Sequence, residues 1–181
     1  MPWFSRFLSL LGVALATMLA ASAARADSAD LANFLATYRC DVVERLGMIH
    51  ADRAPKDRYL ILAIKEGPRG SVQCLFVEND ARLLCEAESG FYAQKAGEPR
   101  QFRVSPEGIA VLARLGFSTD DSEGNYQRLI PLDGGGDFSA IADVILTALY
   151  EAYGARIDSR LEWEAPLAPG KGLLVRCAPV S

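Results

Sequence analysis

Residues 71–88 read SVQCLFVENDARLLCEAE: two apolar runs, Ser71 to Glu78 and Ala81 to Glu88, separated by Asn79 and Asp80. Asn and Asp tolerate the left-handed backbone of a tight turn, so the spacing predicts a β-hairpin turning at these two residues. With that turn, residues whose numbers sum to 159 lie opposite one another, and Cys74 faces Cys85 close to bridging distance. A two-residue loop makes this a hydrogen-bonded pair, the kind with the wider Cα separation. Alternation sorts the hairpin into two faces. Val72, Cys74 and Phe76 with Leu83, Cys85 and Ala87 are apolar throughout and predict the helix-covered core. Gln73, Leu75 and Val77 with Arg82, Leu84 and Glu86 make a mixed face, either an ordinary solvent face or a groove for a peptide or protein partner.

Upstream of the hairpin, Arg58 to Lys65 is a short apolar run closed by a Gly-Pro turn, and it predicts a strand buried on both faces. Before it, Leu31, Phe34, Leu35, Tyr38, Val42, Leu46 and Ile49 recur at the three-and-four spacing of one helix face, with Ser28 as N-cap and Asp30 in the first turn. Downstream, Ser105-Pro106 caps and opens a helix that Gly116 stops. Tyr126 to Leu132 predicts a strand, and Asp137 opens a last helix carrying Phe138, Ile141, Ile145, Leu149 and Ala152, ended by Gly154. An irregular tail follows, with one candidate strand at Leu173 to Arg176. The expected fold is α+β, an antiparallel β-meander sheet packed against helices in the order α-β-β-β-α-β-α.

The chain has 181 residues, with 19 Lys and Arg against 23 Asp and Glu. Its first 26 residues hold Arg6, an uncharged apolar run from Phe7 to Ala21, and the small residues Ala24 and Ala26, the pattern of a cleaved secretory signal. The run is shorter than the roughly 20 residues that span a bilayer as a helix. Cleavage between Ala26 and Asp27 leaves 155 residues with a net charge of −6, one α+β domain over 27–181. The Ala-rich signal suits bacterial export, so the expected location is periplasmic or secreted. Composition excludes disorder, collagen and a polytopic membrane protein. The acidic balance, without a basic cluster, argues against nucleic acid as a partner.

Four cysteines in an exported chain make disulfides the default, with three pairings open. Hairpin register favours Cys74–Cys85. Cys40 lies on the side of the first helix opposite its apolar stripe, and the tail carrying Cys177 is the one spare segment with a thiol, which favours Cys40–Cys177 as a tether for the carboxyl end. The alternative is free, buried thiols. No C-x-x-C or Cys/His cluster supports a metal.

No catalytic group, cofactor site or metal site emerges. His50, the single histidine, has only Asp52 nearby as an orienting acid, and residues two apart on a helix do not face each other, so a surface or helix-capping role is expected. The loop with Asp120, Asp121 and Glu123 lacks the Gly and Glu positions of a twelve-residue calcium loop and reads as a solvated acidic turn. Gly134 to Gly136 precede a helix, but Asp133 and Asp137 flank them and repel an anion.

The segments DRYLIL (57–62), VQCLF (72–76) and LARLGF (112–117), Asn125 entering a strand and LYEAYG (149–154) together resemble the YbjN and type III secretion chaperone-like group, the TY-chaperone N-terminal domain, over Leu31 to Gly154. The resemblance implies a secretion-chaperone-like, non-enzymatic α/β domain that binds peptides or proteins, often as a homodimer. Members of that group are mostly cytoplasmic, whereas this chain carries a signal sequence. The expected function is an exported polypeptide-binding domain using the mixed face, with Leu75, Val77, Arg82 and Leu84 as its contact residues. The alternatives are a small-ligand binder, a hydrolase using the acidic loop at 120–123, and a structural or inhibitor protein acting through a rigid surface.

Overall fold

The computed structural model describes residues 7–52, 54–93, 101–133 and 135–169, with residues 7–26 as helical backbone alone. Its elements are α1 (Phe7–Ala51), β1 (Tyr59–Ile64), β2 (Ser71–Val77), β3 (Arg82–Ala87), α2 (Pro106–Arg114), β4 (Tyr126–Pro131), α3 (Phe138–Thr147) running into a π-helical turn (Ala148–Ala152), and β5 (Leu161–Glu164). The five strands form one antiparallel sheet in the order β4-β3-β2-β1-β5. The architecture is the α+β arrangement that the hairpin and the helical periodicities predict.

Helices cover one sheet face. Leu60, Leu62, Val72, Cys74, Leu83, Cys85, Ala87 and Tyr126 point into a core filled from the other side by Phe34, Val42, Leu46 and Ile49 of α1, Leu112 of α2, and Ile141, Ile145 and Leu146 of α3. Burying a side chain of this size contributes roughly 1.5–3 kcal/mol, so this single layer of contacts supplies the main driving force of the fold. Burial alternates along β1, so the strand is covered on one face and not, as its unbroken apolar run suggests, on both. The opposite face carries Tyr59, Ile61 and Ala63, which helices leave uncovered.

The caps of α2 and α3 fall where the sequence places them. The Ser105 hydroxyl accepts the Gly108 N–H at 3.1 Å with Pro106 opening α2, and the Asp137 carboxylate accepts the Ala140 N–H at 3.0 Å. Gly116 and Gly154 end their helices at φ of +82° and +78°, values that favour glycine.

Three expectations are corrected. Helix α1 does not start at a Ser28 cap but runs unbroken from Phe7. No Gly or Pro occurs between Val13 and Leu46, and the Ala-rich stretch before Asp27 is a strong helix former, so nothing in the sequence stops the helix there. The hairpin turn is four residues, Glu78 to Ala81, not two, with Glu78, Asn79 and Asp80 all left-handed at φ of 53°, 54° and 70°. The register is nevertheless the expected one, with Cys74 opposite Cys85 and bonded to it. The longer turn shifts the hydrogen-bond phase. The Glu88 N–H donates to the Ser71 carbonyl at 2.9 Å, which makes Cys74 and Cys85 a non-hydrogen-bonded pair, and their Cα separation of 4.1 Å is the close spacing of that kind.

Cys40 is also disulfide-bonded. Its expected partner Cys177 and the candidate strand Leu173 to Arg176 lie outside the described residues. Strand β5 was not foreseen: Leu161-Glu162-Trp163-Glu164 folds back beside β1, with Trp163 opposite Leu62.

Candidate functional site

The uncovered sheet face is organised in rows across the strands. Register aligns Leu129, Leu84, Leu75 and Tyr59 in one row over β4, β3, β2 and β1. None of the four belongs to the buried core or to the partly buried side chains packed on it, and Leu129 is 45% exposed. Val77 and Pro131 border the row on one side, with Arg82 between them on β3. Arg82 is tied to Glu78 at 3.2 Å across the turn.

The next row reads Gln127, Glu86, Gln73, Ile61 and Glu164. The Gln73 amide donates to one Glu86 oxygen and the Gln127 amide to the other at 3.0 Å, so two glutamines hold the carboxylate in place. Tyr59 donates its hydroxyl to Glu164 at 2.6 Å. That hydrogen bond, ahead of desolvation and the charges of Glu164 and Asp57, raises the phenol above its ordinary value.

At the Tyr59 end the face falls into a cleft of about 570 Å³ between the α1–β1 connection and the hairpin turn. Its wall includes Tyr59, Leu75 and Val77, so the cleft and the apolar row are continuous. Arg58 stiffens this corner. Its guanidinium pairs with Asp80 in the turn, donates to the Ile49 and His50 carbonyls at 3.3 and 3.2 Å at the end of α1, and lies 5.4 Å over the Phe76 ring. One side chain thereby ties helix, strand and left-handed turn together.

The expected contact residues Leu75, Val77, Arg82 and Leu84 therefore share one face with Gln73 and Glu86, as the alternation predicts, and the structure adds Leu129, Tyr59, Ile61 and Glu164 to it. Leu129 was legible in the alternation of β4. Tyr59 and Ile61 were hidden by the apolar character of every residue in β1.

The other candidates are not brought together with this face. His50, in the last turn of α1, is half-buried with its ring packed against Phe76 and Phe138, centroids 5.4 and 5.5 Å away. Asp120 and Glu123 line a separate depression of about 260 Å³. Hydrogen bonds from the Ser122 side chain and backbone hold the Asp120 carboxyl below its ordinary value, which suits a fixed anion and not a proton donor. Among the described residues no group of three or more His, Cys, Asp or Glu is placed to hold a metal ion. Among the same residues no helix is long and apolar enough to cross a membrane. No protein-family model matches the chain, and no curated protein or solved structure matches it.

Proposed function

We propose that this protein is an exported, periplasmic or secreted, polypeptide-binding domain of chaperone-like, non-enzymatic character that holds its partner against the open sheet face. The observation that carries the reading is the row Leu129, Leu84, Leu75 and Tyr59, four large apolar or aromatic side chains aligned across four strands and left out of the core. Contiguous apolar surface of this kind, bordered by polar residues and running into a cleft, is what a binding surface requires. The leader and the Cys74–Cys85 bond support export, and the resemblance to secretion-chaperone-like domains supports a polypeptide as the ligand.

The test is a holdase assay. The mature chain should suppress light scattering when an unfolded client is diluted from guanidinium. Leu84→Glu should abolish that suppression while leaving circular dichroism and melting unchanged, because the half-buried side chain lies outside the core on the uncovered sheet face. A variant that simply unfolds would place Leu84 in the core and end the proposal.

A further inference from the structure

The two rows of the open face differ in charge as well as polarity, and this bears on what lies against them. The apolar row is unbroken from β4 to β1. Two residues along the strands, about 7 Å away, the neighbouring row carries Glu86 on β3 and Glu164 on β5. Both carboxylates are positioned by neutral donors, Glu86 by Gln73 and Gln127 and Glu164 by Tyr59, and neither has a basic partner among the described residues. Three cations bordering the face are engaged with other carboxylates: Lys65 with Glu162 at 3.0 Å, Arg69 with Glu88 at 2.8 Å and Arg82 with Glu78 at 3.2 Å. The apolar row is therefore flanked by two fixed, unneutralised negative charges on a chain of net charge −4.

We propose that the occupant of this face is a cationic amphipathic helix, its apolar stripe on the leucine row and its basic residues over Glu86 and Glu164. This rests on the reading of the face as a polypeptide-binding surface and names the chemistry of the partner. Parallel apolar and acidic bands match the adjoining apolar and basic stripes of such a helix. The lengths agree: β3 and β5 are three strand spacings apart, about 14 Å, which is about ten residues of helix. Edge pairing is blunted on the β4 side, where Pro131 has no N–H and the Ser118 N–H occupies the Gln127 carbonyl at 2.7 Å. The face, not that edge, is the available surface.

The experiment uses the mature chain and three synthetic peptides of equal length, followed by fluorescence anisotropy at low salt. One is a Leu/Lys amphipathic helix, one a Leu/Glu helix with the same leucine stripe, and one a scrambled Leu/Lys sequence. The Leu/Lys helix should bind about tenfold more tightly than the other two, and added salt should shrink its advantage. Glu86→Gln combined with Glu164→Gln should remove most of that advantage, and Leu84→Ser should weaken both amphipathic helices.

Equal binding of the Leu/Lys and Leu/Glu helices, or of the scrambled peptide, overturns the cationic-helix inference while leaving the face as a binding surface. No binding of the Leu/Lys helix also overturns it. Binding that is indifferent to Leu84→Ser removes the face itself, and with it the functional reading on which the inference stands.

Discussion

Tyr153 joins the π-helical turn to the sheet, and its surroundings leave little freedom. Its hydroxyl donates to the Glu88 carbonyl at 2.8 Å, and its ring lies so close to Gly70 that a Cβ there would sit 2.3–2.5 Å from three Tyr153 carbons. Gly70→Ala should displace the ring and destabilise the fold by about 1–3 kcal/mol, the range for overpacking, as denaturant unfolding would measure. Burial first, and then the Glu88 and Tyr126 charges, pushes the Tyr153 phenol well above its ordinary value. The folded state therefore favours the protonated phenol. Its contribution is complete below about pH 10, the ordinary tyrosine value, and is lost as the pH rises above it and the unfolded chain begins to ionise. Tyr153→Phe should lower stability at neutral pH by about 1 kcal/mol through the lost hydrogen bond. It should also flatten the alkaline decline, and an unchanged alkaline slope would place its origin elsewhere.

The β2–β3 hairpin shows what local pattern reveals and what it leaves out. Alternation identified both faces, and the register that pairs Cys74 with Cys85 followed from centring the turn on Asn79 and Asp80. The phase of the hydrogen bonds did not follow. Loops of two and four residues about the same centre preserve every cross-strand pair and exchange which pairs are hydrogen-bonded, and here Arg58, by pairing with Asp80, supports the longer left-handed turn from outside the hairpin. Strand β5 was illegible for a related reason. Four residues alternating apolar and acidic carry little periodicity, and it is the edge of β1 that gives them a partner. The disulfide closes a short loop, with a sequence separation of 11 residues. Cys74→Ser with Cys85→Ser should therefore lower stability by about 3 kcal/mol. A loss under about 1 kcal/mol would mean that the hairpin keeps residual structure in the denatured ensemble without the disulfide.

Helix α1 ties the core to the carboxyl-terminal segment, and its described attachments follow its length in order. The Tyr150 hydroxyl donates to Asp27 at 3.2 Å, Tyr38 to the Ser159 carbonyl at 3.4 Å, and Arg39 to Asp143 at 2.6 Å. Further along, Arg45 is buried with its guanidinium donating to the Ala168 carbonyl and lying 5.1 Å from the Trp163 ring centre. Periodicity from Leu31 to Ile49 revealed the core side of this helix but not its start, because the helix-forming residues before Asp27 continue the same backbone. All of the described polar anchors lie at or beyond Asp27, the expected first residue after cleavage. A chain that begins there exposes the N–H groups of a new first turn, where Ser28 can cap and Asp27 and Asp30 complement the helix dipole. It should therefore fold with an unfolding free energy within about 0.5 kcal/mol of the full chain's, since the described packing and anchors are retained. Urea unfolding of the two chains compares them directly. A loss of about 2 kcal/mol or more would show that the leader belongs to the folded domain and would count against its being a removable export signal, because a mature protein has to stand without it.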